Sequence, residues 1–353
     1  MHLDEYQEAI VKSNKPHILV VAGSGSGKTR VITERLKWLV KNGADPSKIV
    51  MITFTNFAAD EMRERLSVEC EKCFVGTIHS YANRLLITNG YDTSKAIKEE
   101  DFDKLFSLVK QHQEIIPEVD YLLVDEYQDI DNFQYQFFEM LNAKNTFYVG
   151  DDWQCIYEFR LASPQFFFNK IKDSKYSVYF LKNNYRSGRS IISFASRFMR
   201  SVDEKVDKVV SCCAPDSIVE ETYEGLPYII NQIEKNGEYG KWFILSWSNA
   251  SVDQARDALE KKGIPHDTFK KGTSSHIEIR DKMKENTVKV LTVHSAKGLE
   301  SDYVGVFEVP IKNNDSSRRL AYVAATRAKE RLIWCYQNSG NKRKKSQIVS
   351  WET

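Results

Sequence analysis

Several features that would assign a chain to a special class are scarce or missing. None of the apolar runs in the 353 residues approaches the roughly 20 residues needed to cross a bilayer, which argues against a spanning helix. The six cysteines are scattered, and a chain of this length needs no disulfide framework. That cysteine usage makes a reducing cytoplasm the expected setting, and the start, "MHLDEYQEAI", is acidic and polar, unlike a secretory leader. Neither sign of charge dominates: 50 Lys and Arg face 49 Asp and Glu. A net charge of +1 neither proclaims nor excludes a nucleic-acid partner, because a groove can be basic while the total is balanced. Internal repeats, low-complexity tracts and a Pro- or Gly-rich linker are also missing, apart from the basic, tail-like "SGNKRKKSQ".

What is present is soluble globular composition in a chain long enough for two domains, each with its own core. β-type runs alternate with helical patterns. "HILVVAG", "KIVMITFT", "YLLVDE", "NTFYVGD" and "SVYFL" read as strands, with helices in "KTRVITERLKWLVKNG", "NFAADEMRERL" and "NFQYQFFEML". A second set follows: "KWFILSW", "VKVLTVH" and "YVGVFEV" extended, "RSIISFASRFM", "SVDQARDALEKKG" and "SSRRLAYVAATRAKERL" helical. Alternation of this kind predicts an α/β fold of two doubly wound, mainly parallel sheets, in domains of residues 1–180 and 181–353.

The stretch "AGSGSGKT" lies between a predicted strand and a predicted helix, the context of a phosphate-binding loop. Ala22, Gly23, Ser24, Gly25, Ser26 and Gly27 are small enough for the backbone to wrap phosphates and aim its N–H groups at them. Ala22 stands where the usual pattern has Gly. Lys28 adds charge at the β/γ end, Thr29 can ligate Mg²⁺, and Arg30 follows on the helix. "YLLVDEYQD" supplies a strand ending in an acid pair: Asp125 for the Mg²⁺ shell, Glu126 to orient or deprotonate a water. Together these point to ATP hydrolysis.

Further segments narrow the class. "LDEYQEAI", "MITFTNFAADEMRERL", "GTIHSYANRLL", "VDEYQD", "VGDDWQCIYEFR", "LKNNYRS", "VLTVHSAKGLE" and "RRLAYVAATRAKERL" run in this order from residue 3 to about 332. In that order the chain resembles the UvrD/Rep/PcrA family of superfamily 1 DNA helicases. The resemblance implies two RecA-like domains with ATP and Mg²⁺ in an interdomain cleft. It implies Gln7 as the base-reading residue, Gln154 as the γ-phosphate sensor and Tyr185 stacked on adenine. Glu300 would sit on the sugar or phosphate side, and Arg186 and Arg327 would neutralise the departing phosphoryl group. Phe54, Asn56, Thr77, His79, Tyr157, Phe159, Thr292 and His294 match positions that touch single-stranded DNA, with Phe54 and Phe159 stacking on bases. Phe54 at a strand end also fits a core position, and Tyr157 and Phe159 alternate as a half-buried strand does. Arg160 fits either a phosphate or an acid.

The chain departs from the family in length. Family members carry a large helical insertion in each domain. Here the first place, about 87–118, has room for two helices, and the second, near 270–287, for one short element. Trp153, Leu161 and Ser301 stand where the family has other residues, and none of them removes a proposed catalytic side chain. "CEKC" at 70–73 is half a zinc site without a second half, so structural cysteines are expected.

The expectation is therefore a cytoplasmic, bacterial or phage-encoded ATPase that translocates 3′ to 5′ on single-stranded DNA and unwinds weakly on its own. The alternative from another class is a partner-gated ATPase subunit of a nuclease, repair or anti-phage defence complex. RNA remains open as the strand. A P-loop enzyme acting on small molecules leaves the paired arginine motifs unexplained.

Overall fold

The computed structural model describes residues 2–99, 101–157, 163–208, 210–269 and 281–337. Contacts divide the chain into two compact units, one ending at Lys182 and the other beginning at Asn183. The first contains α1 (Glu5–Val11), β1 (His17–Val21), α2 (Lys28–Lys41), β2 (Ile49–Thr53), α3 (Asn56–Glu64), β3 (Phe74–Thr77) and α4 (Ile78–Thr88). It continues with α5 (Ser94–Lys98), α6 (Phe102–Gln111), β4 (Tyr121–Val124), α7 (Asn132–Met140), β5 (Asn145–Gly150), α8 (Gln165–Lys172) and β6 (Ser177–Phe180). The six strands form one parallel sheet in the order β3-β2-β4-β5-β1-β6.

β2 is buried along its whole length, as a parallel strand covered on both faces must be, which explains an unbroken "IVMIT" in place of alternation. Val31, Ile32, Leu36 and Leu39 make one face of α2 and pack with Ile18, Val20, Met51, Leu123 and Val149. Burial of each such side chain contributes about 1.5–3 kcal/mol. α2 stops at Asn42, where Gly43 takes the left-handed conformation that ends many helices. Among the described residues, the place of the first insertion holds α5, α6 and one further helical turn at Gln113–Ile115, and α6 packs against α4 and α7.

The second unit contains β7 (Asn183–Asn184), α9 (Arg189–Met199), β8 (Ser211–Cys212), β9 (Ile218–Thr222), α10 (Leu226–Asn236), β10 (Trp242–Ser246) and α11 (Asn249–Lys261). β11 (His266–Phe269), β12 (Val288–Thr292), β13 (Ser301–Val306), α12 (Asp315–Ala325) and β14 (Ala328–Cys335) follow. Its main sheet is again six parallel strands, in the order β11-β12-β10-β13-β14-β9, while β7 and β8 pair separately. The expected α/β class with two doubly wound RecA-like sheets is what both units have.

One sequence expectation is corrected. "SSRRLAYVAATRAKERL" is not a single helix: α12 ends at Ala325, and Ala328 begins an interior strand. The charges of "RAKER" imitate a helix surface. The apolar Leu332, Ile333, Trp334 and Cys335 that follow are buried between β13 and β9, and that central position decides the conformation. The sequence does not announce the short strands β3, β9 and β11, because "FVGT", "IVEET" and "HDTF" lack the continuous apolar run that marks "IVMIT" or "YLLV". Among the described residues, no helix is long and apolar enough to cross a membrane.

Candidate functional site

In the first unit, the loop between β1 and α2 turns through Gly25 and Gly27, both at positive φ, and leads straight into the N-terminus of α2. A Cβ at Gly27 would lie 2.9 Å from the Gln7 amide nitrogen, so glycine is required there by space as well as by conformation. Ala22 donates its N–H to the Gly150 carbonyl, which ties the loop to the end of β5. Gln7 is only 2% exposed; its Nε2 donates to the Ser26 carbonyl at 3.1 Å and its Oε1 accepts from the Asp4 N–H. The segment resembling an adenine reader is thus fastened to the phosphate loop. Thr29 and Arg30 lie in the first turn of α2, where unsatisfied N–H groups and the helix dipole favour an anion.

Asp125 and Glu126 follow β4 directly. Glu126 adopts φ +52°, an uncommon conformation for a side-chain-bearing residue, and its N–H donates to Asp125 Oδ1 at 2.9 Å. Glu126 Oε1 stands 3.7 Å from Lys28 Nζ, so the candidate acid and the phosphate-loop lysine share one site. Sequence reasoning missed what holds Glu126 in place. Gln128, fully buried, donates from Nε2 to Glu126 Oε2 at 2.6 Å and to Asp129 Oδ2 at 2.9 Å. Gln128 Oε1 accepts the Asp151 N–H at 2.9 Å, and Asp151 Oδ2 accepts from Gln154 Nε2 at 2.6 Å. An unbroken hydrogen-bonded path therefore joins Glu126 to Gln154. Gly150 makes room for it: a Cβ there would lie 2.7 Å from Gln128 Oε1 and from the Phe167 ring. Trp153 is buried, so it packs and offers no open stacking face.

Beside the acid pair lies a pocket of about 230 Å³, lined by Asp125, Glu126, Phe54, His79, Gln134 and Tyr157 among others. It brings the candidate hydrolytic acids and three candidate strand-contacting residues onto one cavity. Phe54 and Tyr157 stack on each other, with ring centroids 5.1 Å apart and planes at 16°. The His79 ring lies 4.5 Å from Phe102 and 5.3 Å from Phe106, both on α6. Burial pushes its imidazole below the ordinary value, against the opposing pull of Asp131 and Asp103. Thr77 is the N-cap of α4, its hydroxyl accepting from Ser80 N–H, and Asn56 opens α3 exposed to solvent. Phe159 and Arg160 lie outside the described residues, as does most of 270–287.

In the second unit, three separated segments meet. Buried Asn184 accepts the N–H groups of Arg186 and Ser187, and Ser187 Oγ and Gly188 N–H donate to the carbonyls of Ala328 and Lys329. Arg186 Nε donates to Glu300 Oε2 at 2.5 Å, while Lys329 Nζ stands 3.1 Å from Glu300 Oε1. Burial works against the Glu300 charge, but Arg186 and Lys329 outweigh it and hold the carboxyl below its ordinary value. Arg327, 1% exposed at the corner between α12 and β14, donates to the carbonyls of Val323 and Leu299 at 3.0 and 3.1 Å. The Tyr185 ring is exposed nearby in sequence, its hydroxyl accepting from Asn183. Thr292 is buried at the end of β12, its hydroxyl bonded to Ser295. His294 meets Trp247 edge-on at 5.7 Å. Trp247 was also missed; it is 41% exposed just past β10, and its only sequence signal is an aromatic directly after a buried strand.

Residues 7–160 match the family described as an AAA domain, and residues 273–339 match the UvrD-like helicase C-terminal domain. A probable DNA helicase II homolog of Mycoplasma capricolum is 27% identical over 369 aligned positions, covering 74% of this chain and 51% of that protein. The ATP-dependent DNA helicase PcrA of Staphylococcus aureus is 25% identical over 367 positions, covering 75% and 50%. A probable DNA helicase of Mycoplasma pneumoniae is 24% identical over 451 positions, covering 94% and 83%. The chain thus spans about half the length of the first two relatives. With one match on each unit, and with one relative aligned over 94% of the chain, the chain is similar across both units to UvrD/PcrA-like helicases.

Proposed function

We propose that the chain is an ATP-driven motor on single-stranded DNA. The observation that carries this reading is the pocket shared by Asp125, Glu126, Phe54, His79 and Tyr157, together with the path from Glu126 to Gln154. Hydrolysis and strand contact there use neighbouring atoms, which is what coupling requires. The N–H groups at the start of α2 and Lys28 bind the phosphates. Thr29 and Asp125 are oxygen donors of the kind Mg²⁺ takes alongside phosphate; they would hold the ion, which would supply positive charge to the phosphates. Glu126, fixed by Gln128 and backed by the Lys28 charge, orients a water and accepts its proton as it attacks. Arg186 and Arg327 supply charge to the leaving phosphoryl group, Tyr185 offers a stacking face to adenine, and Glu300 faces its sugar.

On the strand side, Phe54, Tyr157 and Phe159 stack on bases, and Asn56, Thr77, His79, Thr292 and His294 provide polar contacts. Bases gripped by stacking carry little sequence preference. The relatives' names as DNA helicases support DNA as the strand. A 3′ to 5′ direction follows from the family alone. Melting a base-pair step costs about 1.4 kcal/mol, within reach of one ATP, so geometry and not energy limits unwinding. With two short helices and one further helical turn described in the place of the first insertion, unwinding is weak without a partner.

The test is steady-state ATPase without nucleic acid and with single-stranded DNA, duplex or RNA, with Lys28→Ala as the blank. Strong, Lys28-dependent stimulation by single-stranded DNA is expected. A Lys28-dependent rate indifferent to every nucleic acid would overturn the motor and favour a partner-gated ATPase.

A further inference from the structure

We propose that Lys329 is a positioning residue for the Arg186 guanidinium: it shares the Glu300 carboxylate with Arg186 and remains as its counter-ion when Arg186 leaves for a terminal phosphate. The inference rests on the reading of Arg186 as a phosphate-stabilising group. Each Glu300 oxygen has its own cation, Oε2 taking Arg186 Nε at 2.5 Å and Oε1 Lys329 Nζ at 3.1 Å. Asp302 lies 3.8 Å from the same ammonium, so Lys329 has a second acid to lean on in either state. The backbone fixes this geometry, because Gly188, two residues beyond Arg186, donates its N–H to the carbonyl of Lys329 itself.

The physical need is plain. A guanidinium locked to a carboxylate is a poor ligand for anything else, and withdrawing it would leave the Glu300 carboxylate, 39% exposed, without the cation on its Oε2. With Lys329 in place the carboxylate stays compensated, and Arg186 exchanges one anion for another. Glu300 then stores Arg186 in the nucleotide-free protein without trapping it. Lys329 itself need touch no nucleotide.

The experiment measures kcat, KM and the affinity for a mant-labelled ATP in the full chain, saturated with single-stranded DNA. Lys329→Met is expected to lower kcat about fivefold, with nucleotide affinity within twofold of the parent, and Lys329→Arg to restore the rate. In a Glu300→Gln background, Lys329→Met should cost nothing further, since no charge is left to compensate. Equal losses in both backgrounds, or no loss while Arg186→Ala abolishes hydrolysis, would overturn the role of Lys329 alone. Full activity of Arg186→Ala would instead bring down the reading of Arg186, and this proposal with it. A Lys329→Met defect confined to KM would mean direct nucleotide contact and would also refute it.

Discussion

The two units hold their candidate catalytic groups by different means. In the first, Lys28 is ion-paired with Glu126, and a hydrogen-bonded path runs on from Glu126 through the Gln128 amide, the Asp151 backbone N–H and the Asp151 carboxylate to Gln154. In the second, Arg327 is clasped by backbone carbonyls in a buried corner, while Arg186 rests on a carboxylate shared with Lys329. A carboxylate that must aim a water gains from having one position, because a small misplacement costs much of the rate. If Arg186 meets a phosphate only during turnover, as proposed, it needs a resting place it can leave, and a shared carboxylate is one. The contrast separates groups held in one position, Glu126 and Arg327 among them, from one held so that it can be released.

The sharpest way to break this contrast is a pair of substitutions. Glu126→Gln should lower kcat by about 100-fold or more while nucleotide binding and melting temperature stay near the parent's. Arg327→Ala should cost comparable activity and also lower the melting temperature by several degrees, since the Val323 and Leu299 carbonyls each lose a buried donor. ATPase assays beside thermal unfolding decide it; an unchanged melting temperature for Arg327→Ala would erase the distinction. A smaller effect is expected from Gln128→Leu, which keeps the volume and cuts the path. kcat should fall about tenfold, and stimulation by single-stranded DNA should fall more than the basal rate. Equal loss of both rates would mean that Gln128 merely supports the fold.

The smallest effect concerns pH. His79 titrates lower in the folded protein than in the unfolded chain, so the unfolded state binds more protons once pH falls below about 6.5. Stability should therefore decline on acidification through that window and level off below the folded value. Urea unfolding at pH 7.5 and pH 5.5 should show a smaller decline for His79→Gln than for the parent. An identical decline would remove His79 from the account.

What the sequence made legible was local. The candidate phosphate loop and acid pair are contiguous strings set between strand and helix patterns, and "IVMIT" or "KWFILSW" needs no partner to be read as a buried strand. What stayed hidden depends on meetings across the chain. Gln128 and Asp151 are 23 residues apart, and nothing in either string announces the other. Glu300 meets Arg186 across 114 residues. The corner at Arg327 was misread because its charged flank obeys helical spacing, while the deciding fact, a place between β13 and β9, is tertiary. Trp247 reads as the last residue of a strand until its exposure beside His294 is known.

The face-to-face packing of Phe54 and Tyr157 has a consequence for how tightly a strand is held. Rings that cover one another have each spent one face on the other. Under the proposed role, a base seated between them would have to part them, and its net gain would be the difference between one aromatic stack and another. Each nucleotide would then be gripped loosely and let go with little resistance. For a motor that advances by repeated release, a weak hold at every position would be worth more than a strong hold at one.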